Sequence, residues 1–129
     1  MDSNVLLDVA TDDPEWSDRS TAVLERVADS SLLAINPLVF AEVSVGFARI
    51  EDLDEVLPPA LLRRADLPYE AAFLAGKAFL TYRRRGGLRS SPLPDFYIGA
   101  HAAVAGWRLL TRDTRRYRTY FPSVELLTP

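Results

Sequence analysis

Four carboxylates stand out by type and placement: Asp2, Glu42, Asp95 and Asp113. Asp2 heads Asp2-Ser3-Asn4, a run of helix-capping residue types ahead of Val5-Leu6-Leu7. Glu42 is the only acid in the apolar stretch from Leu38 to Arg49. Asp95 follows Pro94 where a helix would begin, a position at which the helix dipole favours a carboxylate. Asp113 follows the short buried-type run Arg108-Leu109-Leu110-Thr111. Ligand sites in open α/β folds form beyond the carboxyl ends of parallel strands. These acids can therefore meet at one sheet edge. Two carboxylates about 4 Å apart repel by roughly 4 kcal/mol at an effective dielectric of about 20. A cluster becomes tolerable around a divalent cation, and oxygen-only ligands suit Mg²⁺ or Mn²⁺. Such an ion polarises a phosphoryl oxygen and acidifies an attacking water, so phosphodiester hydrolysis is the natural chemistry. Each acid also has a plainer role. Asp2 and Asp95 can be caps, Asp113 a turn residue, and Glu42 an ion-pair partner of Arg49.

The elements that must position these acids follow from patterning. A first helix begins at Asp2-Ser3-Asn4, preceded by a strand that is almost absent here or begins further upstream. Asp13-Pro14-Glu15 signals a second helix start with Pro14 at the first helical position, and the stripe of Val23, Leu24 and Val27 carries it to about Asp29. Leu32 to Ile35 reads as a short buried strand. Asn36-Pro37 then caps a helix spanning Leu38 to Arg49. Residues 51–62 read as a short helix and a turn broken by Pro58-Pro59. A long helix runs from Tyr69 to about Arg84, closed by Gly86-Gly87, with a loop over 89–93. The helix from Pro94 stops at Gly106, and its small residues let it lie close against a sheet. Val124 to Leu127 forms a last strand. Short strands alternating with helices predict a three-layer α/β/α domain around a short, mainly parallel sheet, one domain over residues 1–129.

Bulk composition narrows the classes. With no cysteine, the chain has no disulfide, thiolate metal site or cysteine nucleophile. A single histidine leaves no zinc site of the usual kind. No apolar run approaches the roughly 18 residues of a membrane span, and no signal-like segment opens the chain, so a soluble cytoplasmic protein is expected. The net charge of −3 hides an asymmetry. Residues 1–60 hold 3 Arg against 13 acids, and residues 61–129 hold 12 basic residues against 5 acids. Such a split suits an acidic site beside a basic face, or acids and arginines lining separate solvated helices. Lys77 is the only lysine. It lies in a mid-chain helix, which argues against a phosphoacceptor site built on Asp2.

Taken together, Asp2-Ser3-Asn4-Val5-Leu6-Leu7-Asp8, Glu42 within an apolar helix, Asp95-Phe96-Tyr97-Ile98-Gly99-Ala100-His101-Ala102 and Leu109-Leu110-Thr111-Arg112-Asp113 resemble the PIN-domain family. More narrowly, they resemble its VapC-type toxins of bacterial type II toxin–antitoxin modules. The resemblance covers essentially the whole chain. It implies a Mg²⁺- or Mn²⁺-dependent endoribonuclease, usually a homodimer, inhibited by a small antitoxin. By the same resemblance Asp2, Glu42, Asp95 and Asp113 are the catalytic, metal-binding acids, with Asn4 and Thr111 as polar helpers. Ser3 stands where the family commonly has Thr, which keeps the hydroxyl. Arg112, Arg115, Arg116 and Arg118, close to Asp113, are the candidates for gripping RNA phosphate. The alternative from another class is a catalytically weak PIN-like module that binds RNA or protein.

The remaining polar and aromatic residues read as structural. His101 is a packed or surface side chain rather than a base. Asp8 is solvated or an Arg partner. Tyr117, Tyr120 and Phe121 cover the sheet's end or a dimer seam, with base stacking as their other use.

Overall fold

A computed structural model describes residues 1–89 and 93–129. Eleven elements follow one another: α1 (Ser3–Ala10), α2 (Ser17–Ala28), β1 (Leu33–Ile35), α3 (Pro37–Ser44), α4 (Ile50–Val56), β2 (Leu62–Arg64), α5 (Tyr69–Arg84), α6 (Pro94–Ala105), β3 (Leu109–Leu110), α7 (Arg115–Tyr120) and β4 (Leu126–Leu127). The loop expected over 89–93 falls largely on residues outside the described ones.

Both strand pairs are parallel. β1 pairs with β2 from Leu33 opposite Leu62 to Ile35 opposite Arg64, and β3 pairs with β4 through Leu109–Leu126 and Leu110–Leu127. The two ladders meet through the first two residues. The Met1 amino group donates to the Ala34 carbonyl of β1 at 3.0 Å. The Asp2 N–H donates to the Leu110 carbonyl of β3 at 2.9 Å. Met1 and Asp2 thus lie between β1 and β3, in the place of the expected first strand. That placement brings Asp2 to the middle of the sheet before α1 begins.

Successive strand side chains point to opposite faces, and β3 shows how this builds layers. Leu110 joins Val5 of α1 and Val23 of α2 in one small cluster. Leu109 joins the larger core with Val39, Ala71, Ala75, Phe96 and Tyr117. The result is the three-layer α/β/α arrangement, with α5 packed extensively along α6. Close approach is decisive at Gly99 of α6, where an added Cβ would overlap the Phe121 ring. Gly106 ends α6 in the left-handed conformation, φ 70°.

Several boundaries differ from the patterning. The helix expected over 38–49 stops at Ser44, where Ser44 Oγ turns back to the Ala41 carbonyl at 2.7 Å and Gly46 follows. Asp13-Pro14-Glu15 forms a turn rather than a helix start. Asp13 Oδ1 accepts the N–H groups of Glu15 and Trp16 at 2.9 and 2.8 Å, and α2 begins only at Ser17. The stretch read as turn before residue 62 leads into β2, whose sequence Leu-Arg-Arg carries no apolar run. The basic, aromatic segment after Asp113 is the short helix α7. No helix among the described residues is long and apolar enough to cross a membrane.

Candidate functional site

Asp2 is the hub of the acidic edge. It is buried, 4 % exposed, and caps α1 by accepting the Ser3 N–H on Oδ1 at 2.7 Å. Its other oxygen, Oδ2, accepts the Thr111 hydroxyl and the Tyr117 hydroxyl, both at 2.8 Å. Thr111 Oγ1 itself accepts from Asn4 Nδ2 at 3.2 Å and from the Asp113 N–H at 3.1 Å, which directs its one proton to Asp2. Asn4 Oδ1 accepts the Arg112 N–H at 3.1 Å. Asn4 and Thr111 therefore tie the start of α1 to the loop after β3. Both lone-pair positions of Asp2 Oδ2 are filled, and Oδ1 keeps room for one further partner.

Glu42 reaches the same edge from α3. Ser3 Oγ donates to Glu42 Oε1 at 3.0 Å and lies 3.5 Å from Asp2 Oδ1, so Ser3 stands between the two acids. Burial holds the Glu42 carboxyl above the usual carboxylate range, against the Ser3 hydrogen bond, with the charges of Asp2 and Asp95 adding to the rise. Asp95, in the first turn of α6, is raised as well. Burial is the main cause, and Asp2 and Asp113 oppose its charge more than Arg116 relieves it. Asp113 is exposed, and its Oδ1 accepts the Arg115 N–H at 3.3 Å as α7 begins. The structure thus brings Asp2, Glu42 and Asp95 into mutual electrostatic reach, with Asp113 within reach of Asp95. Among the described residues, no three of these side chains stand close enough as placed to ligate one ion together. Mg²⁺ does not require that. It keeps several waters and commonly takes only one or two carboxylates besides substrate phosphate. The all-oxygen donor set, its uncompensated charge and the free side of Asp2 Oδ1 fit such an ion. A cleft of about 330 Å³ lined by Leu33, Ala34, Trp107 and Leu110 contains none of the four acids.

Among the other side chains, some keep to their sequence reading and some depart from it. Arg49 pairs with Glu51 at 3.5 Å, so the Glu42–Arg49 pair does not form; α3 ends before Arg49 is reached. Of the two readings of Asp8, solvated or an Arg partner, the structure shows the second. Asp8 is 2 % exposed, accepts Ser20 Oγ at 2.9 Å and pairs with Arg112 at 3.1 Å. Arg112 is held there, with its guanidinium 5.0 Å from the Trp16 ring. Arg115 and Arg118 are exposed, whereas Arg116 turns to Asp95. His101 is packed, as its helix position suggested, with Asn36 Nδ2 at 3.2 Å from Nδ1 and Trp107 at 4.9 Å ring to ring. Tyr117, expected to cover the sheet's end or a dimer seam, is fully buried, and its hydroxyl donates to Asp2 Oδ2. Burial, Asp2, Asp95 and Glu42 all push its proton loss far above the ordinary phenol range, so it acts as a fixed donor. A tyrosine in a basic run carried no signal of this role, because its partner lies 115 positions away.

A family model for the PIN domain matches residues 1–122. The chain belongs to the PIN domain family. No curated protein sequence matches the chain. Solved structures share the PIN fold at low identity. A VapBC2 structure from Rickettsia felis, bound to a promoter DNA fragment, matches with TM-score 0.75 and 20 % identity, covering 99 % of this chain and 96 % of that one. VapBC-1 from nontypeable Haemophilus influenzae matches with TM-score 0.73 and 16 % identity, over 98 % and 94 % of the two chains. DNA-bound VapBC from Salmonella typhimurium matches with TM-score 0.69 and 18 % identity, again over 98 % and 94 %.

Proposed function

We propose that this PIN domain is a Mg²⁺- or Mn²⁺-dependent endoribonuclease, the toxin of a type II toxin–antitoxin module, restrained by a cognate antitoxin. The observation that carries the reading is the acidic edge itself. Asp2 is fixed by Thr111 and Tyr117, while Glu42 and Asp95 are both held above the usual carboxylate range by burial and by neighbouring acids. Family membership and the likeness to VapBC structures support the same reading. Asp2, Glu42, Asp95 and Asp113 would hold the divalent cation. When bound, that ion polarises a phosphodiester oxygen and makes an attacking water more acidic. The protein's share is positional. Asn4 and Thr111 orient Asp2 and the loop bearing Asp113, and Tyr117 keeps Asp2 from turning. The exposed Arg115 and Arg118, with Arg116, would meet the RNA backbone; Arg112, tied to Asp8, serves more as a brace. A cytoplasmic homodimer of one-domain chains, residues 1–129, completes the proposal.

The test is cleavage of total RNA with Mg²⁺ or Mn²⁺, comparing the wild type with Asp95→Asn and with a chelator-treated sample. Activity should require metal, and Asp95→Asn should lose at least the roughly 10–100-fold that even an outer partner of a metal site supplies. Equal cleavage by both proteins would refute the acid-cluster mechanism. A second reading, a PIN-like module that binds without cleaving, draws on the spacing of the acids, no three of which share an ion position as placed. Metal-replete wild type that binds RNA and leaves it intact would favour that reading.

A further inference from the structure

Arg116 is the one cation paired with any of the four acids among the described residues. Its Nη1 lies 3.3 Å from Asp95 Oδ2, and Asp95 is the only hydrogen-bond partner of its guanidinium among those residues. The two side chains are 32 % and 28 % exposed, so the contact can open to water without unpacking the core. The guanidinium also lies over two rings, 5.6 Å from Phe96 and 5.8 Å from Tyr82. Cation–π contact steadies the group without using its N–H donors. A guanidinium carries five such donors in a fork that matches phosphate. Four acids against one guanidinium leave the edge undercompensated, and a guanidinium and a dication on one carboxylate repel each other.

We propose, resting on the nuclease reading above, that Arg116 is an exchangeable counter-cation: it occupies Asp95 in the metal-free protein, yields that carboxylate to a divalent cation, and then binds a phosphate of the RNA backbone. The rings of Phe96 and Tyr82 act as the perch on which it turns. Arg116 thus opposes metal binding and favours RNA binding, and removing it moves the two affinities in opposite directions. A merely structural role would weaken both.

The experiment is Mn²⁺ titration calorimetry on wild type, Arg116→Gln and Arg116→Lys. It is paired with binding of a fluorescein-labelled, 2′-O-methylated single-stranded RNA, which resists cleavage, to the same three proteins in Mn²⁺ at several salt concentrations. Arg116→Gln should bind Mn²⁺ roughly two- to fivefold more tightly, the range a part-exposed ion pair supplies. Its RNA affinity should fall, and the slope of log affinity against log salt should shrink by about 0.7, one phosphate contact on a single strand. Arg116→Lys, which keeps the charge, should retain the slope. Mn²⁺ binding that is unchanged or weaker in Arg116→Gln overturns the exchange, and an unchanged salt slope overturns the phosphate contact. A wild-type chain that takes up no Mn²⁺ overturns the nuclease reading as well.

Discussion

Asp2 shows how much one buried carboxylate can organise. It caps a helix, ties its own backbone to β3 through its N–H, and accepts two hydroxyls on a single oxygen. Tyr117 is the less expected member of this set. Its ring fills the core while its hydroxyl serves the site, so Tyr117→Phe separates the two roles. The ring stays and one hydrogen bond to a charged group goes. Such bonds are worth about 1.5–3 kcal/mol, and urea unfolding should register a loss in that range. Asp2 Oδ2 would then be held by the Thr111 hydroxyl alone, and metal-dependent cleavage should drop further than stability alone explains. Unchanged stability and activity would remove Tyr117 from the site. No pattern in the sequence marks this contact. Asp2, Asp95 and Asp113 were legible as residue types at helix starts and a strand end, because capping and dipole effects act locally, and Glu42 as the lone acid of an apolar helix. The Asp8–Arg112 pair and the Tyr117–Asp2 bond join distant parts of the chain, and only the folded backbone creates them.

Helices α3 and α6 carry Glu42 and Asp95, and each has a device that sets its position. For α6 the device is Gly99 under the Phe121 ring. Gly99→Ala should destabilise by roughly 1–3 kcal/mol, as overpacking does, measurable as a lower midpoint in urea. For α3 it is Asn36, whose Oδ1 accepts the Val39 N–H at 3.0 Å. With Oδ1 so engaged, the amide NH₂ faces His101 Nδ1, which must accept. Protonated His101 would present N–H to NH₂. Burial first, and the terminal ammonium second, hold this imidazole below its ordinary value of 6.5. The unfolded chain therefore takes a proton near that pH while the folded chain does not. The His101 contribution is fully present above about pH 6.5 and is lost as pH falls toward the folded value. Glu42 and Asp95, raised rather than lowered, slope the other way, so the comparison must isolate His101. Stability should fall less between pH 7.5 and 5.5 in His101→Gln than in the wild type; parallel curves would exclude this linkage. Helix starts at Asn36-Pro37 and Pro94-Asp95 could be read directly, since caps and Pro act within one turn. β2 could not, because three residues with two exposed arginines become a strand only through pairing with β1.

Across the whole molecule, the acidic first part and basic second part fold into contact. Asp2 and Glu42 come from the acidic part; Asp95, Asp113 and Arg116 come from the basic one. The layered PIN fold is what turns this linear asymmetry into a local one, with acids at the sheet edge and arginines on α7 around them. Burial first, and repulsion between the acids second, cost stability in the metal-free protein, since Glu42 and Asp95 are both harder to ionise there than in an unfolded chain. Neutralising one acid should therefore raise the melting temperature at neutral pH, and a ligand that supplies positive charge should do the same. The most direct measurement is a thermal melt at pH 7.5, with and without millimolar Mn²⁺, on wild type and Asp95→Asn. The expected result is a wild type that gains stability with Mn²⁺ and an Asp95→Asn protein that melts higher without metal and gains little from it. Equal Mn²⁺ shifts in the two proteins, or none in the wild type, would contradict the shared cation site.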